Sequence, residues 1–171
     1  PLFKLGMTIA TLVIVAGIAY IFKPPVLYNN GYKPEQPIPF DHSLHAGKYQ
    51  INCMYCHASV ERSRHATVPS LNVCMNCHKN VATDRPLIQR ITALYNAGES
   101  MPWVKVHMLP DFVKFNHKRH IARGVQCSTC HGQVEQMQTM YQNASLSMGW
   151  CINCHRKPEN RAPISCDTCH Y

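Results

Sequence analysis

The sequence predicts a mostly irregular chain with short helices, one transmembrane helix near its N-terminus and little apolar core of its own. Three observations lead to this prediction: ten cysteines in five identical short motifs, an uncharged apolar run, and only five Phe and two Trp among 171 residues. A chain of this length ordinarily buries enough side chains to fold unaided. So few large aromatic side chains indicate that another group fills the interior.

The first element is the apolar run of residues 5–22, which holds 18 residues without a charge between Lys4 and Lys23. A helix of this length spans about 27 Å at about 1.5 Å per residue, which is enough to cross a bilayer. We expect an uncleaved anchor rather than a signal peptide, because no Ala-x-Ala-like cleavage site precedes Pro24 and Pro25.

One face of this helix carries the small residues Gly6, Ala10, Val13 and Gly17. Small residues at this spacing let a second membrane helix approach closely, so we expect the face to pack on a partner helix. After the anchor, five of the twelve prolines fall within residues 24–39. This density predicts an extended strap, laid along the membrane surface or a partner.

All ten cysteines lie in Cys-x-x-Cys-His pentapeptides, a pattern typical of c-type haem attachment. Two thiols reach the two vinyl groups of one porphyrin, and the adjacent imidazole ligates the iron. The five motifs are Cys53/Cys56/His57, Cys74/Cys77/His78, Cys127/Cys130/His131, Cys151/Cys154/His155 and Cys166/Cys169/His170. A free-thiol enzyme is excluded, and a disulfide scaffold is disfavoured. Structural zinc is the alternative, but a zinc site needs four ligands and gives no reason for a histidine after every pair.

The sequence therefore predicts five covalently bound haems c. Their rings form the core of a mostly irregular and helical multihaem cytochrome c, and the fold depends on them. The formal net charge of +8 agrees with this prediction. A ferric porphyrin with two ionised propionates carries about −1, so five of them leave about +3. The 17 Lys and Arg residues are scattered among the motifs rather than set on one helix, so we expect no nucleic-acid partner.

Beyond the strap the chain repeats a Phe-x-His-x-x-His segment ahead of a haem motif. The copies are Phe40/His42/His45, which begins 13 residues before Cys53, and Phe115/His117/His120, which begins 12 residues before Cys127. Two histidines three residues apart on a helical turn can reach two different irons. We therefore expect each copy to supply distal ligands for two haems.

Two further histidines and two methionines complete the set of candidate distal ligands. His65 and His107 bring the non-motif histidines to six for five irons. Met140 and Met148 precede Cys151, and methionine can also ligate haem iron. Filling of the core is the alternative that we favour for both methionines.

The motifs and the repeat divide the chain into five predicted segments. These are the anchor at 1–23, the strap at 24–39, a first haem unit with two motifs at 40–84, a connecting helix and linker at 85–110, and a second haem unit with three motifs at 111–171. In the connection, residues 84–98 are predicted to form a helix, capped by Asp84 and ended by Gly98, with Pro86 tolerated in its first turn. Its apolar stripe, expected to pack on haem edges, is Leu87, Ile88, Ile91, Leu94 and Tyr95.

The repeated Phe-x-His-x-x-His and Cys-x-x-Cys-His pattern resembles the class III multihaem cytochromes c. The whole arrangement is similar to the pentahaem subunit of alternative complex III, a quinol-oxidising complex of bacteria. This second resemblance covers the anchor, both repeats and the stretch VHMLPDFV at 106–113. The class III resemblance implies these distal and proximal pairs: His42 with His57, His45 with His78, His117 with His131, and His120 with His155. It leaves His65 or His107 for the fifth haem, at His170.

These features predict an electron-transfer subunit rather than an enzyme. A catalytic multihaem reductase needs one iron with an open position, but candidate ligands outnumber irons here, and no Cys-x-x-Cys-Lys variant marks a special haem. The resemblance implies an iron-sulfur subunit and polytopic membrane subunits as partners, and a monohaem cytochrome c or a terminal oxidase as acceptor. The expected location is the cytoplasmic membrane, with the haem units on the periplasmic side.

The alternative is a tetrahaem quinol dehydrogenase of the NapC/NrfH-like kind, which also has one N-terminal helix and feeds a periplasmic reductase. Such proteins carry four haems, with the first motif nearer the helix. Here Cys53 follows Phe22 by 31 residues, and there are five motifs.

Overall fold

The computed structural model of the chain describes residues 2–21 and 29–171, with side chains from Lys4 onward. Short helices joined by irregular segments make up the described chain, and no β-strand occurs in it. The α-helices are α1 (Leu2–Ile21), α2 (Cys53–Cys56), α3 (Leu71–His78), α4 (Pro86–Asn96), α5 (His117–Ala122), α6 (Ser128–His131), α7 (Met148–His155) and α8 (Cys166–Cys169). A π-helical turn covers Ser43–Lys48, and 3₁₀ turns cover Val134–Gln136 and Pro158–Asn160. The predicted fold class is confirmed.

Helix α1 contains the predicted apolar run up to Ile21, while Phe22, Lys23, Pro24 and Pro25 lie outside the described residues. The stretch Lys4–Ile21 has a mean hydropathy of 1.9 and is exposed along its whole length. By length and composition it can cross a membrane, although a signal sequence would have the same properties. A Cβ added at Gly6 or Gly17 meets no atom within 4 Å, so the small-residue face is open.

The described part of the predicted strap, residues 29–39, is extended and docks on the chain itself. Gln36 exchanges two hydrogen bonds with the backbone of Val104: its Nε2 donates to the carbonyl, and its Oε1 accepts from the amide, both at 2.9 Å. Arg90 Nη1 donates to the Pro37 carbonyl at 3.0 Å. The expectation that the strap lies on a membrane or a partner is wrong for this part, because its polar groups are satisfied within the chain.

Helix α4 is shorter than predicted. It starts at Pro86 rather than at Asp84, because proline with its fixed φ and missing N–H suits the first helical position. The N-cap is Arg85, which makes no side-chain cap hydrogen bond, so the predicted capping by Asp84 is wrong. The chain turns away after Asn96 and reaches φ +69° at Gly98, as the predicted C-terminus requires.

A small apolar cluster lies between the strap, α3 and α4. Its buried members are Ile38, Leu71 and Met101, and Ile91, Leu94 and Tyr95 of the α4 stripe pack against them with Cys74 and Trp103. The stripe was expected to pack on haem edges, but this half of it contacts the chain's own core. Leu87 at the start of the stripe is exposed.

Gln142 joins the strap to the second haem unit. It is fully buried, and its backbone pairs with the strap: Gly31 N–H donates to the Gln142 carbonyl at 2.7 Å, and Gln142 N–H donates to the Tyr32 carbonyl at 3.0 Å. Its side-chain Oε1 accepts from Met108 N–H at 3.3 Å, and its Nε2 donates to the Ala144 carbonyl at 3.0 Å. Satisfying all these groups lets a polar side chain be buried without loss of stability.

The first and second haem units meet at two turns. The π-helical turn Ser43–Lys48 packs on the 3₁₀ turn Val134–Gln136, where Ser43 N–H donates to the Met137 carbonyl at 3.1 Å. A Cβ added at Gly47 would overlap the Glu135 carbonyl, so the contact requires glycine there.

Candidate functional site

Each Cys-x-x-Cys-His motif is built on a short helix, one in each of α2, α3, α6, α7 and α8. One helical turn separates the two thiols of a motif, so both point to the same side. Side-chain caps fix some of these helices: Asn52 Oδ1 accepts from Met54 N–H at 2.9 Å, and Ser147 Oγ accepts from Trp150 N–H at 3.2 Å. An Asn or Ser ahead of a motif is a sequence signal that could have located these caps. All ten cysteines are free thiols, so none is consumed in a disulfide.

Four of the five motif histidines are held by a backbone carbonyl. Their Nδ1 atoms donate to carbonyl oxygens at 2.7–3.0 Å, in the pairs His57 with Thr67, His78 with Val81, His155 with Pro163 and His170 with Phe112. A carbonyl can only accept, so Nδ1 carries the proton and Nε2 keeps a free lone pair. This is the tautomer that a metal-ligating histidine needs. The sequence offers no signal for these carbonyls, because any residue type supplies one.

The two Phe-x-His-x-x-His copies have the same local geometry. The Phe40 ring stacks on His45 with centroids 4.4 Å apart and meets His42 edge-on at 4.8 Å. In the second copy Phe115 stacks on His120 at 4.4 Å and meets His117 edge-on at 4.7 Å. The second histidine of each copy also donates from Nδ1 to the carbonyl four residues earlier, at 2.8 Å in both. The phenylalanine therefore orients both histidines of its copy.

Three of the predicted histidine pairs face each other at a distance that fits one iron between them. The ring centroids are 6.2 Å apart for His45 and His78, 6.4 Å for His117 and His131, and 6.0 Å for His120 and His155. If two Nε2 atoms bind one metal at about 2.0 Å and each lies about 1.1 Å from its ring centre, the centroids are about 6.2 Å apart. The residues present thus fit axial ligation of a haem iron from both sides.

The fourth predicted pair, His42 with His57, is close enough for the two charges to interact. Burial lowers the pKa of His42 to about 4, and the neighbouring His57 and His45 lower it further. Its Nδ1 is buried without a hydrogen-bond partner among the described residues. Burial likewise lowers the pKa of His131 to about 4, with His107, His117 and His57 adding to the effect. Neutral imidazole is the form that binds a metal, so both groups are poised for ligation.

His107 lies against His131 rather than against His170. Its Nε2 is 3.2 Å from His131 Nδ1, and the two ring centroids are 4.5 Å apart. The Nε2 atom of His107 therefore faces a proximal histidine on the side away from the expected iron. Its assignment as the distal ligand at His170 does not agree with this placement, because the linker runs past the third motif rather than the fifth.

The structure brings no second candidate ring onto His170. His65 is exposed, and its charge acts on His117 in another part of the site. Among the described residues, the ring that contacts His170 is that of Phe112, with centroids 5.8 Å apart. Met140 is half-buried, and Met148 is exposed in the first turn of α7. Met148 lines a cavity of about 310 Å³ with Ile152 and Ile164.

The apolar surfaces beside the motifs are left open. Tyr55, Val81, Phe112, Met148 and Ile164 all lie inside a motif or within five residues of one, and each is at least 50% exposed. Seven hydrophobic side chains are buried among the described residues, which is few for a domain of this size. Porphyrin rings at the motifs would cover these surfaces. The described residues contain no cluster of three or more Cys, His, Asp or Glu side chains that could hold a bare metal ion.

Comparisons with known proteins agree with this site. Residues 113–171, which hold the third to fifth motifs, match the family of cytochrome c7 and related cytochrome c. The chain is also similar to the multiheme cytochrome c subunit of a menaquinone reductase from Nitratidesulfovibrio vulgaris (strain Hildenborough). The two are 29% identical over 173 residues, which cover 86% of this chain and 80% of the relative. The fold class, short helices and irregular segments around repeated Cys-x-x-Cys-His motifs, is that of a multihaem cytochrome c of electron transport.

Proposed function

We propose that this chain binds five haems c and conducts electrons as the membrane-anchored subunit of a quinone-linked respiratory complex. The observation that carries the proposal is the facing of histidine rings at 6.0–6.4 Å in three separate pairs. An iron held by histidine on both sides has no position for a substrate. Such sites favour electron transfer over catalysis.

The proposed sites are numbered haem 1 to haem 5 by their motifs in chain order. Within each, the two cysteines attach the porphyrin and the motif histidine binds the iron from one side. The opposite side of haems 1 to 4 is assigned to His42, His45, His117 and His120, in that order. Once bound, each haem supplies a reversible one-electron couple between ferric and ferrous iron.

The chain's residues contribute orientation and dielectric control at these sites. Backbone carbonyls fix the tautomer of four proximal histidines, and Phe40 and Phe115 fix the ring planes of the distal ones. Burial keeps His42 and His131 neutral, so that both can hold iron in either oxidation state. Ligands that do not change position between oxidation states keep the reorganisation on electron transfer small.

Two properties support the quinone link. The relative is named as a subunit of a menaquinone reductase, and α1 is long and apolar enough to place the chain at a membrane. Oxidation of one quinol releases two electrons and two protons, so the path would carry the two electrons one after the other. Since haem is attached and thiols are handled outside the cytoplasm, the haem units lie on the periplasmic side.

The direction of transfer separates two versions of this function. The resemblance to the pentahaem subunit of alternative complex III implies electrons flowing from quinol, through an iron-sulfur subunit and this chain, to a monohaem cytochrome c or an oxidase. Polytopic membrane subunits would hold the complex together. The name of the relative favours the opposite flow, from a periplasmic donor into the quinone. A stand-alone tetrahaem-type quinol dehydrogenase is less well supported, because the chain has five motifs.

The test uses the detergent-solubilised complex that contains this chain. We expect the haem α-band of this subunit to become reduced on adding a quinol, or reoxidised on adding the quinone, and the faster of the two gives the direction. Co-purification with an iron-sulfur subunit supports the alternative complex III version. A chain that purifies alone, or whose haems exchange electrons with neither form of the quinone, would refute the proposal.

A further inference from the structure

We propose that the five haem sites lie along one path in the spatial order 2, 1, 3, 4, 5, so that haems 2 and 5 form its two ends. This order rests on the proposed function and adds to it the points where electrons enter and leave. It differs from the order of the motifs in the chain, and four sets of contacts between neighbouring motifs support it.

The first and second motifs are direct neighbours. Asn76, inside the second motif, donates from Nδ2 to the hydroxyl of Tyr55, inside the first, at 3.0 Å. One π-helical turn also serves both motifs, since His45 faces His78 while His42 lies beside His57. Electrostatics agree: burial raises the pKa of the Cys56 thiol, and the nearby Cys77 raises it further.

The first motif also meets the third, across the boundary between the haem units. His117, which faces His131, donates from both its backbone N–H (3.1 Å) and its Nδ1 (2.9 Å) to the Arg64 carbonyl, seven residues after the first motif. Lys118 N–H donates to the Ser63 carbonyl at 3.2 Å. Burial raises the pKa of the Cys127 thiol, and Cys53 raises it further by its charge and by a side-chain hydrogen bond.

The third and fourth motifs share helix α5. His117 and His120 lie one turn apart on this helix, and their rings face His131 and His155. Two irons held from one helical turn must be close neighbours. The pKa of the Cys130 thiol is raised by burial and then by Cys154 and Cys151 of the fourth motif.

The fourth and fifth motifs are joined by the short segment between them. His155 Nδ1 donates to the Pro163 carbonyl at 2.7 Å, three residues before Cys166. Ile164 of the same segment lines the 310 Å³ cavity with Met148 and Ile152 of α7. Burial raises the pKa of the Cys151 thiol, and the fifth-motif Cys169 raises it further.

Each inner motif therefore contacts two others, whereas the contacts described for the second and fifth motifs lead to one motif each. The haem at the first motif connects the two haem units. An electron that enters at either end passes through it or stops before the second haem. Partner proteins that exchange electrons with this chain are accordingly expected at the second motif, beside α3, and at the C-terminal α8.

The order is tested by counting the magnetic neighbours of one haem. His45→Ala opens the distal position of haem 2 and makes that iron high-spin, and His120→Ala does the same at haem 4 as the matched inner control. A high-spin iron speeds the electron-spin relaxation of low-spin irons next to it, and the effect falls steeply with distance. In the holoprotein we expect faster relaxation of one low-spin signal in His45→Ala and of two in His120→Ala.

Several outcomes would overturn the order. Two relaxation-enhanced signals in His45→Ala, or one in His120→Ala, contradict it, and the absence of a high-spin signal in either variant removes the pairings on which it stands. The iron positions of the unmodified holoprotein, determined by electron cryomicroscopy, give a check that needs no variant: the iron at His78 must have the iron at His57 as its single near neighbour. Five haems that exchange electrons with quinone but show other neighbours would refute the order alone. Fewer haems, or no exchange, would refute the proposed function.

Discussion

Replacing His107 with leucine should raise the reduction potential of haem 3 and leave the other four haems unchanged. If His131 binds iron through Nε2, its Nδ1 carries the proton and donates it to His107 Nε2, 3.2 Å away. Ferric iron makes this N–H more acidic than ferrous iron does, so the hydrogen bond stabilises the ferric state. Removal of the acceptor therefore favours reduction.

The size of the effect follows from ordinary hydrogen-bond energies. A neutral hydrogen bond contributes about 1 kcal/mol, and one with charge assistance about twice as much. The ferric state therefore gains about 1 kcal/mol more than the ferrous state, which corresponds to about 40 mV for one electron, since about 59 mV is a tenfold change in the equilibrium constant. His107→Leu should also lower the free energy of unfolding by about 1–3 kcal/mol, because it leaves the buried His131 N–H without a partner.

The assay is a potentiometric titration followed by electron paramagnetic resonance, which separates the low-spin haems. The variant His107→Gln keeps an acceptor oxygen and should shift the potential by less than half as much. His65→Leu is the control at an exposed histidine and should shift nothing. An unchanged haem 3 potential in His107→Leu would refute the second-sphere role. A new high-spin haem in that variant would show instead that His107 is a distal ligand.

Three further predictions concern haem content, packing and the anchor. The pyridine haemochrome assay should give five haems c per chain, because every cysteine pair is assigned to attachment; three or fewer, or stoichiometric zinc, would end this interpretation. Gly47→Ala should lower the free energy of unfolding by about 1–3 kcal/mol through overlap with the Glu135 carbonyl, and an unchanged thermal midpoint would contradict that contact. Gly17→Leu should loosen the subunit from its complex with haem loading intact, and unchanged co-purification would show that the face meets lipid.

The sequence was sufficient where chemistry and local spacing determine the outcome. The positions of the motif helices follow from the Cys-x-x-Cys-His spacing, and the matching geometry of Phe40 with His45 and of Phe115 with His120 follows from a repeat visible in the residues. Helix α1 follows from an uninterrupted apolar run. In each case the interacting residues are neighbours along the chain, so no long-range information was needed.

The start of α4 shows how a local rule can be applied to the wrong residue. Asp84 is a good N-cap type, and Pro86 is a good first helical residue, but the two preferences place the helix start differently. The helix begins at Pro86, with Arg85 extended at φ −77° and ψ 132° before it. A residue before proline is pushed towards extended backbone, so the proline decided the boundary.

The contacts that depend on tertiary structure left little trace in the sequence. Gln142 is an ordinary glutamine in an irregular segment, and its burial follows from the path of the strap past Met108. The Arg64 carbonyl that holds His117 belongs to the backbone, so the identity of residue 64 carries no information about it. The same holds for the half-buried α4 stripe, whose partners Ile38 and Met101 come from segments distant in sequence.

The position of His107 carries this argument furthest. The sequence supplied more histidines than irons, and counting alone suggested that one of the spare histidines completes the fifth haem. The structure places His107 behind His131, where it can tune a ligand without being one. A histidine at this point differs physically from the backbone carbonyls that hold the other four proximal histidines, because its ring is an acceptor that substitution can remove. The haem at the third motif, which lies at the centre of the proposed path, is thus the one whose potential the chain can change by a single side chain.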